Sequence, residues 1–257
     1  MKILITNDDG IQSIGLLAVN NAVKDFGETT IIAPVTQQSG VGHAITLMKP
    51  LRAYDTKLKD GTIGYAVTGT PTDCVIIGSQ GIMDEQPDLI ISGINTGENL
   101  AKSITTSGTL GATFEASTFN IPAIAVSIQV IREDIKFKDG AHEIDYSFAE
   151  KILNKLVKKV MKQGMPDGVD ILNLNVPSKP KSEEIIQAPF ADRMYSTNVE
   201  KRIDPYGHPY YWIVGSLTGE EDVGTDVHTL RVLRQPVVTP ISTDMDANVD
   251  ITKWLEE

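Results

Sequence analysis

Short apolar runs separated by helical stretches limit the fold of this chain more than any other feature of its sequence. The runs are continuous and rich in Ile and Val, as expected of strands buried on both faces of a parallel sheet. They comprise KILIT (2–6), TTIIA (29–33), DLIIS (88–92), PAIAVS (122–127) and DILNLNVP (170–177). The helical stretches comprise GLLAVNNAVKDF (15–26), TPTDCVIIGSQGIM (70–83), GTLGATFEASTF (108–119) and YSFAEKILNKLVKKVMKQG (146–164). This alternation predicts βαβ units, and therefore an α/β fold with a mostly parallel, doubly wound sheet.

A short β excursion is predicted between the second strand and the second helix. PLRAY (50–54) and IGYAVTG (63–69) both have the composition of strands. The KDG sequence (59–61) that lies between them is a turn signal. We therefore predict two strands joined by a tight turn.

The sequence changes character after about residue 180. Aromatic residues are concentrated between Phe190 and Trp212, in a stretch interrupted by proline and glycine. We predict a β-hairpin arm here, which packs on the body of the protein or on a second subunit, because an isolated hairpin is barely stable in water. Residues 1–180 are interpreted as the core and residues 181–257 as an arm and helix, together forming one integrated domain.

Composition excludes several functional classes. The 257 residues are 41% hydrophobic, enough for one large α/β domain or for one domain with an extension. The net charge of −11 argues against binding of long nucleic acid or of an anionic membrane, since both require a basic surface. A small phosphate ester remains compatible with this charge, because a bound divalent cation reverses the electric field locally.

The single cysteine and the amino-terminal residues constrain the cellular setting. Cys74 alone rules out an intrachain disulfide and a Cys-based zinc cluster, and its apolar surroundings predict buried packing. Met1 and Lys2 lead directly into the first strand without a secretory signal, and no apolar run approaches the length of a membrane span. A cytoplasmic protein is therefore expected.

The first strand ends in Asn7, Asp8, Asp9 and Gly10, and this motif is the strongest indication of a functional site. Adjacent carboxylates repel each other, so a solvated turn gains nothing from them, whereas a metal ion requires them. Asp-Asp-Gly sequences also occur in turns without function, and the triplet alone leaves that alternative open.

Oxygen-bearing side chains and glycines also follow other predicted strands. Ser39 and Gly40 lie after the second strand, Asn95 lies after the strand at 88–92, and TTSGTLGA (105–112) leads into a helix. Ligands of open parallel sheets bind beyond the carboxyl ends of the strands, so these segments are expected to converge. Carboxylate, amide and hydroxyl oxygens suit Mg²⁺ or Mn²⁺ and suit zinc poorly.

Each of these elements also has an ordinary structural explanation. Ser-Gly pairs occur in many loops, and Asn95 can cap or turn the chain. The TSGT sequence is an N-cap signature as well as an anion site at a helix N-terminus. His43 and His142 are compatible with metal ligation, although an isolated histidine is more often a surface or core residue. Convergence at one end of one sheet, rather than any single motif, favours a functional site.

Taken together, the motifs closely resemble the SurE family of survival-protein phosphatases, which act as 5′- and 3′-nucleotidases. The resemblance covers nearly the whole chain and is strongest over residues 1–130. It rests on ILITNDDGI, APVTQQSGVGH, GTPTDCV, PDLIISGINTGENL, SGTLGA, IPAIAVS and GTDV followed by VVTPIS. The chain departs from the family pattern at Ser13 and Ile14, where Ala-Pro is usual, at Ala101, where Gly is usual, and at Thr106, where Tyr is usual.

The resemblance implies a Rossmann-like sheet and a C-terminal arm exchanged between subunits in homodimers, and in some cases homotetramers. It also implies hydrolysis of nucleoside 5′- and 3′-monophosphates to nucleoside and inorganic phosphate. It implies one divalent cation per subunit, Mg²⁺ or Mn²⁺, with the ligands Asp8, Asp9, Ser39 and Asn95. The residues assigned to the substrate phosphate are Ser107, Gly108 and Thr109, to which we add Asn7 and Gly40.

Asp8 and Asp9 are also the predicted catalytic residues. Attack by water on phosphorus is favoured, because the haloacid-dehalogenase pattern places its two aspartates two residues apart whereas these are adjacent. A covalent role for Asp9 stays open. Two other functions stay open as well: a broad phosphatase or exopolyphosphatase, and a metal and nucleotide sensor without turnover. A dinucleotide-dependent oxidoreductase is rejected, because no G-x-G-x-x-G sequence follows the first strand.

Overall fold

The computed structural model describes residues 1–131, 144–218, 222–247 and 249–255, and within them strands and helices alternate as the sequence predicts. His142 lies outside the described residues. The strands are β1 (Lys2–Thr6), β2 (Glu28–Pro34), β3 (Ala53–Lys57), β4 (Ile63–Val67), β5 (Leu89–Thr96), β6 (Ala123–Ile128), β7 (Ile171–Val176), β8 (Ile186–Gln187), β9 (Tyr195–Ile203), β10 (Pro209–Leu217) and β11 (Val237–Ile241). The helices are α1 (Ile14–Val23), α2 (Pro71–Ile77), α3 (Gly108–Thr118), α4 (Ser147–Gln163), α5 (Asp226–His228) and α6 (Thr252–Leu255).

A mixed, mostly parallel sheet organises the described residues in the strand order β3-β4-β2-β1-β5-β6-β7-β11-β8. Strand β1 lies between β2 and β5, to both of which it is parallel, and β6 and β7 continue the parallel part. The antiparallel pairs lie towards the edges, where β3 joins β4 and β11 joins β7. The predicted α/β class, with a mostly parallel Rossmann-like sheet, is confirmed.

The core lies on both faces of this sheet, which explains why the strands are continuously apolar. Along β1, Ile3 and Ile5 belong to the cluster that includes α1 and α4, whereas Leu4 belongs to the cluster that includes α2 and α3. All three side chains are fully buried. Cys74 is a buried free thiol in the second of these clusters, as the sequence predicts. Among the described residues, no helix combines the length and the apolar character needed to cross a bilayer.

The β excursion is confirmed in type but not in position, because the first strand begins at Ala53 rather than at Pro50. The KDG turn fixes the register, pairing Lys57 with Ile63 and Ala53 with Val67. The strand therefore has to continue to the turn, and Gly61 occupies the positive φ of +93° that the turn requires.

The predicted hairpin arm is formed by β9 and β10, which pair antiparallel from Tyr195 and Leu217 to Ile203 and Pro209. It forms a two-stranded sheet of its own, and most of its side chains are exposed. Large apolar side chains lie along both strands, with Ile213 80% exposed and Trp212 56% exposed. The strands β8 and β11, which flank the arm in the sequence, belong instead to the main sheet.

Candidate metal and phosphate site

The turn after β1 brings Asp8 and Asp9 to the carboxyl edge of the parallel strands. Asn7 shapes this turn, because its Oδ1 accepts a hydrogen bond of 3.1 Å from the Gly10 amide. Gly10 has a φ of +96°, and a Cβ there would lie 3.3 Å from the Thr36 carbonyl carbon. The Asn7 side chain is fully buried, so it supports the turn from inside the protein.

Helix α3 begins directly against Asp8. The Thr109 hydroxyl donates a hydrogen bond of 2.6 Å to Asp8 Oδ1. Gly108 permits this contact, because a Cβ at that position would lie 2.9 Å from the Cβ of Asp8. Ser107 caps the helix, with its hydroxyl accepting from the Leu110 amide at 3.3 Å. The predicted phosphate segment therefore meets the predicted metal ligand at the helix N-terminus.

The end of β5 lies against Asp9. The Thr96 amide donates a hydrogen bond of 3.1 Å to Asp9 Oδ2. The pairing of β5 with β6 shifts in register between Ser92 and Asn95, so the strand continues to Thr96 after an irregularity. The Asn95 side-chain nitrogen donates a hydrogen bond of 2.6 Å to the Gly97 carbonyl. The amide oxygen is therefore the atom of this side chain that remains available to a cation.

The loop that carries Ser39 is attached to both Asp8 and the start of α3. The Gln38 amide donates to the Asp8 carbonyl at 2.7 Å, and the Gly42 amide donates to the Thr106 carbonyl at 3.0 Å. Ser39 and Gly40 lie exposed between these two attachments. The Ser39 hydroxyl accepts from the Gln37 side chain at 2.9 Å. The loop thus brings a hydroxyl group and an exposed glycine to the same edge of the sheet as the two carboxylates.

The two carboxylates share a poorly solvated site. Burial raises the pKa of Asp8 to about 7, with a further contribution from the charge of Asp9. Burial also raises the pKa of Asp9, and the hydrogen bond from the Thr96 amide offsets this in part. A divalent cation between the two side chains would compensate this charge. Within the described ranges no group of three or more Asp, Glu, His or Cys side chains is arranged to hold a metal ion. A cation bound by this pair would therefore need other oxygen donors, and Ser39 and Asn95 are the residues that the sequence predicts for that role.

One contact near Asp9, between Tyr146 and Thr96, carries no signal in the sequence. The Tyr146 hydroxyl lies 3.1 Å from the Thr96 hydroxyl. Burial raises the pKa of Tyr146 to about 12, and the charge of Asp9 adds to this increase. Tyr146 and Thr96 are 50 positions apart, so neither residue forms part of a local motif with the other.

His43, a candidate ligand from the sequence, lies against α3. Its Nε2 is 2.7 Å from Glu115 Oε2, and Glu115 is buried. The Glu115 carboxylate is therefore the partner of this ring in the described structure. This contact connects the loop after Gly42 to Glu115 in α3.

The fold and the site define a Rossmann-like α/β protein with paired acidic residues at the carboxyl edge of its parallel sheet. The family model described as "Survival protein SurE" matches residues 3–197. The chain belongs to the SurE family.

Named relatives match over the full length of the chain. A protein named 5′-nucleotidase SurE from Methanosphaera stadtmanae is 71% identical over 256 residues, which cover 100% of both chains. A protein of the same name from Archaeoglobus fulgidus is 45% identical and covers 97% of this chain and 94% of its own. The crystal structure of the SurE protein from Aquifex aeolicus matches with a TM-score of 0.81 at 34% identity, covering 100% of both chains. All the residues predicted for the site lie within the part matched by the family model.

Proposed function

We propose that this protein is a 5′-nucleotidase that depends on a divalent cation. It hydrolyses nucleoside 5′-monophosphates, and also 3′-monophosphates, to nucleoside and inorganic phosphate. The observation that carries the proposal is the pair of adjacent carboxylates at the strand ends. Asp8 is held by the N-terminus of α3, and Asp9 is held by the end of β5. The names of the full-length relatives support the same activity.

One cation per subunit, Mg²⁺ or Mn²⁺, would be held by four side chains. These are Asp8, Asp9, Ser39 and Asn95. The residues fit such an ion, because burial raises the pKa of both carboxyl groups and the remaining donors are hydroxyl and amide oxygens. When bound, the cation polarises a phosphoryl oxygen and offsets the negative charge of the transition state.

The substrate phosphate is placed between the Ser39 loop and the start of α3. Exposed backbone around Gly40 supplies amide donors on one side, and the first residues of α3, at Ser107, Gly108 and Thr109, supply a helix N-terminus on the other. Asn7 contributes by fixing the turn that carries both carboxylates. These groups hold the phosphoryl oxygens while the bond to the leaving oxygen breaks.

The carboxylates also orient the nucleophile. A water molecule that donates a hydrogen bond to one carboxylate attacks phosphorus, and the bond between phosphorus and the nucleoside oxygen breaks. The attacking water gives up one proton to the carboxylate and the leaving oxygen takes one up, so that water and the monoester yield a nucleoside and inorganic phosphate. Direct attack by water is proposed in preference to a covalent intermediate on Asp9.

The arm is proposed to join subunits into a homodimer or a homotetramer. Its strands β9 and β10 expose apolar side chains on both faces, with Val199, Ile203 and Ile213 on one face and Trp212 on the other. Exposed apolar surface of this extent is typical of an interface between protein chains. A second copy of the chain is the proposed partner, because the arm is part of every copy.

Release of phosphate from a panel of nucleoside 5′- and 3′-monophosphates tests the proposal. Protein stripped with EDTA is assayed with and without added Mg²⁺ or Mn²⁺, together with Asp8→Asn and Asp9→Ala. The matched control is Asp25→Asn, an exposed aspartate next to the end of α1. Cation-dependent release that is lost in both site variants and retained in the control supports a nucleotidase.

Other outcomes would replace the proposal. Equal rates on polyphosphate, sugar phosphates and nucleotides would indicate a broad phosphatase. Binding of the cation without phosphate release from any substrate would indicate a sensor. Retention of activity in Asp9→Ala would contradict the assignment of the carboxylate pair.

A further inference from the structure

Asp9 is held in place from the side of β5. The Thr96 amide donates a hydrogen bond of 3.1 Å to Asp9 Oδ2, and Thr96 lowers the pKa of Asp9 against the effect of burial. Because that amide lies at the end of β5, the orientation of Asp9 depends on where the backbone of Thr96 is held. The Thr96 hydroxyl is the other polar group through which this residue can be anchored.

The Tyr146 hydroxyl is the hydrogen-bond partner of the Thr96 hydroxyl. It lies 3.1 Å from the Thr96 hydroxyl oxygen. A tyrosine at neutral pH keeps its proton and can donate it. Either hydroxyl can donate in this pair, so the contacts run from Tyr146 to the side chain of Thr96 and from the amide of Thr96 to Asp9.

Tyr146 is itself anchored by the core. Its side chain is 8% exposed and belongs to the buried cluster formed with residues of α1 and α4. Its carbonyl accepts a hydrogen bond of 2.8 Å from the Glu150 amide, in the first turn of α4. The hydroxyl of Tyr146 therefore extends from a buried ring on a fixed backbone, so its contact restricts the orientation of the Thr96 side chain.

Thr96 also lies next to Asn95, the predicted cation ligand at the end of β5. Asn95 precedes it, and the Asn95 side chain bonds to the carbonyl of Gly97, which follows it. The Gly97 amide in turn donates to the Ile128 carbonyl at 2.9 Å on β6. An altered orientation of Thr96 would consequently disturb both Asp9 and Asn95.

We propose that Tyr146 is a positioning residue for the cation site: it anchors the Thr96 hydroxyl, and the Thr96 amide in turn holds Asp9 in the orientation that binds a divalent cation. The inference rests on the proposed cation-dependent function. Groups that hydrogen bond to metal ligands fix their orientation, and their loss typically weakens metal affinity by about 10- to 100-fold. Tyr146 does not contact the substrate or the cation in this assignment.

Mn²⁺ affinity measured by calorimetry on EDTA-stripped protein tests the inference. Tyr146→Phe keeps the buried ring and removes only the hydroxyl, so affinity is expected to fall about 10-fold. Thr96→Val keeps the amide and the shape of the side chain, and the same fall is expected. Thr96→Ser keeps a hydroxyl and is expected to bind within about twofold of the wild type. The double variant is expected to lose little beyond either single variant, because both remove one relay.

Controls separate positioning from a general loss of structure. Tyr65→Phe removes a hydroxyl from a partly buried tyrosine in the cluster on the other face of the sheet and should leave Mn²⁺ affinity unchanged. Thermal unfolding of each stripped variant checks that the fold is retained. If Tyr146→Phe fails to fold, the contrast between Thr96→Val and Thr96→Ser still decides the matter.

Unchanged Mn²⁺ affinity in Tyr146→Phe or in Thr96→Val, with the wild type binding normally, overturns the positioning role alone. Equal losses in Thr96→Ser and Thr96→Val also overturn it, because the hydroxyl would then not be the relevant group. Absence of Mn²⁺ binding in the wild type itself overturns the proposed cation site together with this inference.

Discussion

The Thr109 hydroxyl donates a hydrogen bond of 2.6 Å to Asp8 Oδ1, joining two residues that are 101 positions apart in the chain. The bond connects the first turn of α3 to Asp8, a residue that is only 5% exposed. Hydrogen bonding lowers the pKa of Asp8, but burial outweighs it and the pKa remains raised to about 7. Without a cation the site therefore holds charge that these hydrogen bonds do not neutralise.

Replacing Asp8 by Asn is expected to stabilise the cation-free protein at pH 8 and to change little near pH 4. The pKa of Asp8 in the folded protein is about 7, against an ordinary value of 3.8 for this side chain, so the folded protein holds this proton more tightly than the unfolded chain does. The free energy of unfolding of the wild type therefore falls as the pH rises from about 4 to about 7. Urea denaturation in EDTA is expected to give a difference on the order of 2–4 kcal/mol at pH 8.

The comparison uses the difference in the free energy of unfolding between the wild type and Asp8→Asn. Other groups that titrate in the same range contribute to both proteins, so their contributions cancel. Asp25→Asn, at an exposed position, should track the wild type at every pH. A wild type that is as stable as Asp8→Asn at pH 8 would contradict the burial of charge at this site.

Adding Mn²⁺ is expected to stabilise the wild type and not the Asp9→Ala variant. A ligand that binds only the folded state adds about 2.7 kcal/mol when its concentration is 100 times its dissociation constant. Asp9 is one of the two carboxylates in the assigned ligand set, so its loss should remove most of this gain. The thermal unfolding midpoint with EDTA and with Mn²⁺ measures the effect. An equal increase in Asp9→Ala would place the stabilising cation elsewhere.

Changing Ala101 to Gly is expected to stabilise the protein. Ala101 has a φ of 57° and a ψ of −174°, a conformation that side chains other than Gly rarely adopt. Its amide donates to Asp226 Oδ2 at 2.8 Å, and this bond to a buried carboxylate holds the conformation in place. Relief of the strain is expected to add about 1 kcal/mol to the free energy of unfolding, measured by urea denaturation.

A matched alanine in a helix provides the control for this prediction. Ala116 is fully buried in α3 and has ordinary helical surroundings, so Ala116→Gly is expected to destabilise the protein by about 1 kcal/mol. Destabilisation of both variants by similar amounts would mean that Ala101 is not strained.

Charged residues introduced into the arm are expected to dissociate the proposed oligomer without unfolding its subunits. Trp212 and Ile213 are adjacent in β10 and therefore lie on opposite faces of the hairpin. Replacing both by Lys introduces charge on both exposed faces, which an apolar interface does not accept. Sedimentation velocity should shift to the monomer while the circular dichroism spectrum stays unchanged. Met161→Lys, on the exposed side of α4, is the control that should keep the oligomer.

The fold was predictable because burial on both faces leaves a strong signal in the sequence. Ile3, Leu4 and Ile5 need to be apolar since neighbouring residues of β1 belong to opposite clusters. The position of β3 was less predictable, because its register depends on the turn at Gly61 rather than on its own composition. Local patterns thus identify the type of an element more reliably than its ends.

The candidate site divides in the same way. Asp8 and Asp9 follow the end of β1, and Thr109 follows the N-cap of α3. The local sequence therefore identifies all three as candidate site residues. The relay from Tyr146 to Thr96 depends on a contact between the start of α4 and the end of β5, across 50 positions. Such a contact leaves no periodic or compositional pattern in either segment, and only the folded chain reveals it.

Anomalous diffraction from crystals soaked with Mn²⁺ would locate the cation in the structure. We expect the adjacent carboxylates of Asp8 and Asp9 to hold one divalent cation. The predicted result is one anomalous peak per subunit at ligand distance from both carboxylates and from the oxygens of Ser39 and Asn95, absent in crystals of Asp9→Ala. A peak away from the end of β1, or no peak with the wild type at saturating Mn²⁺, would contradict the account.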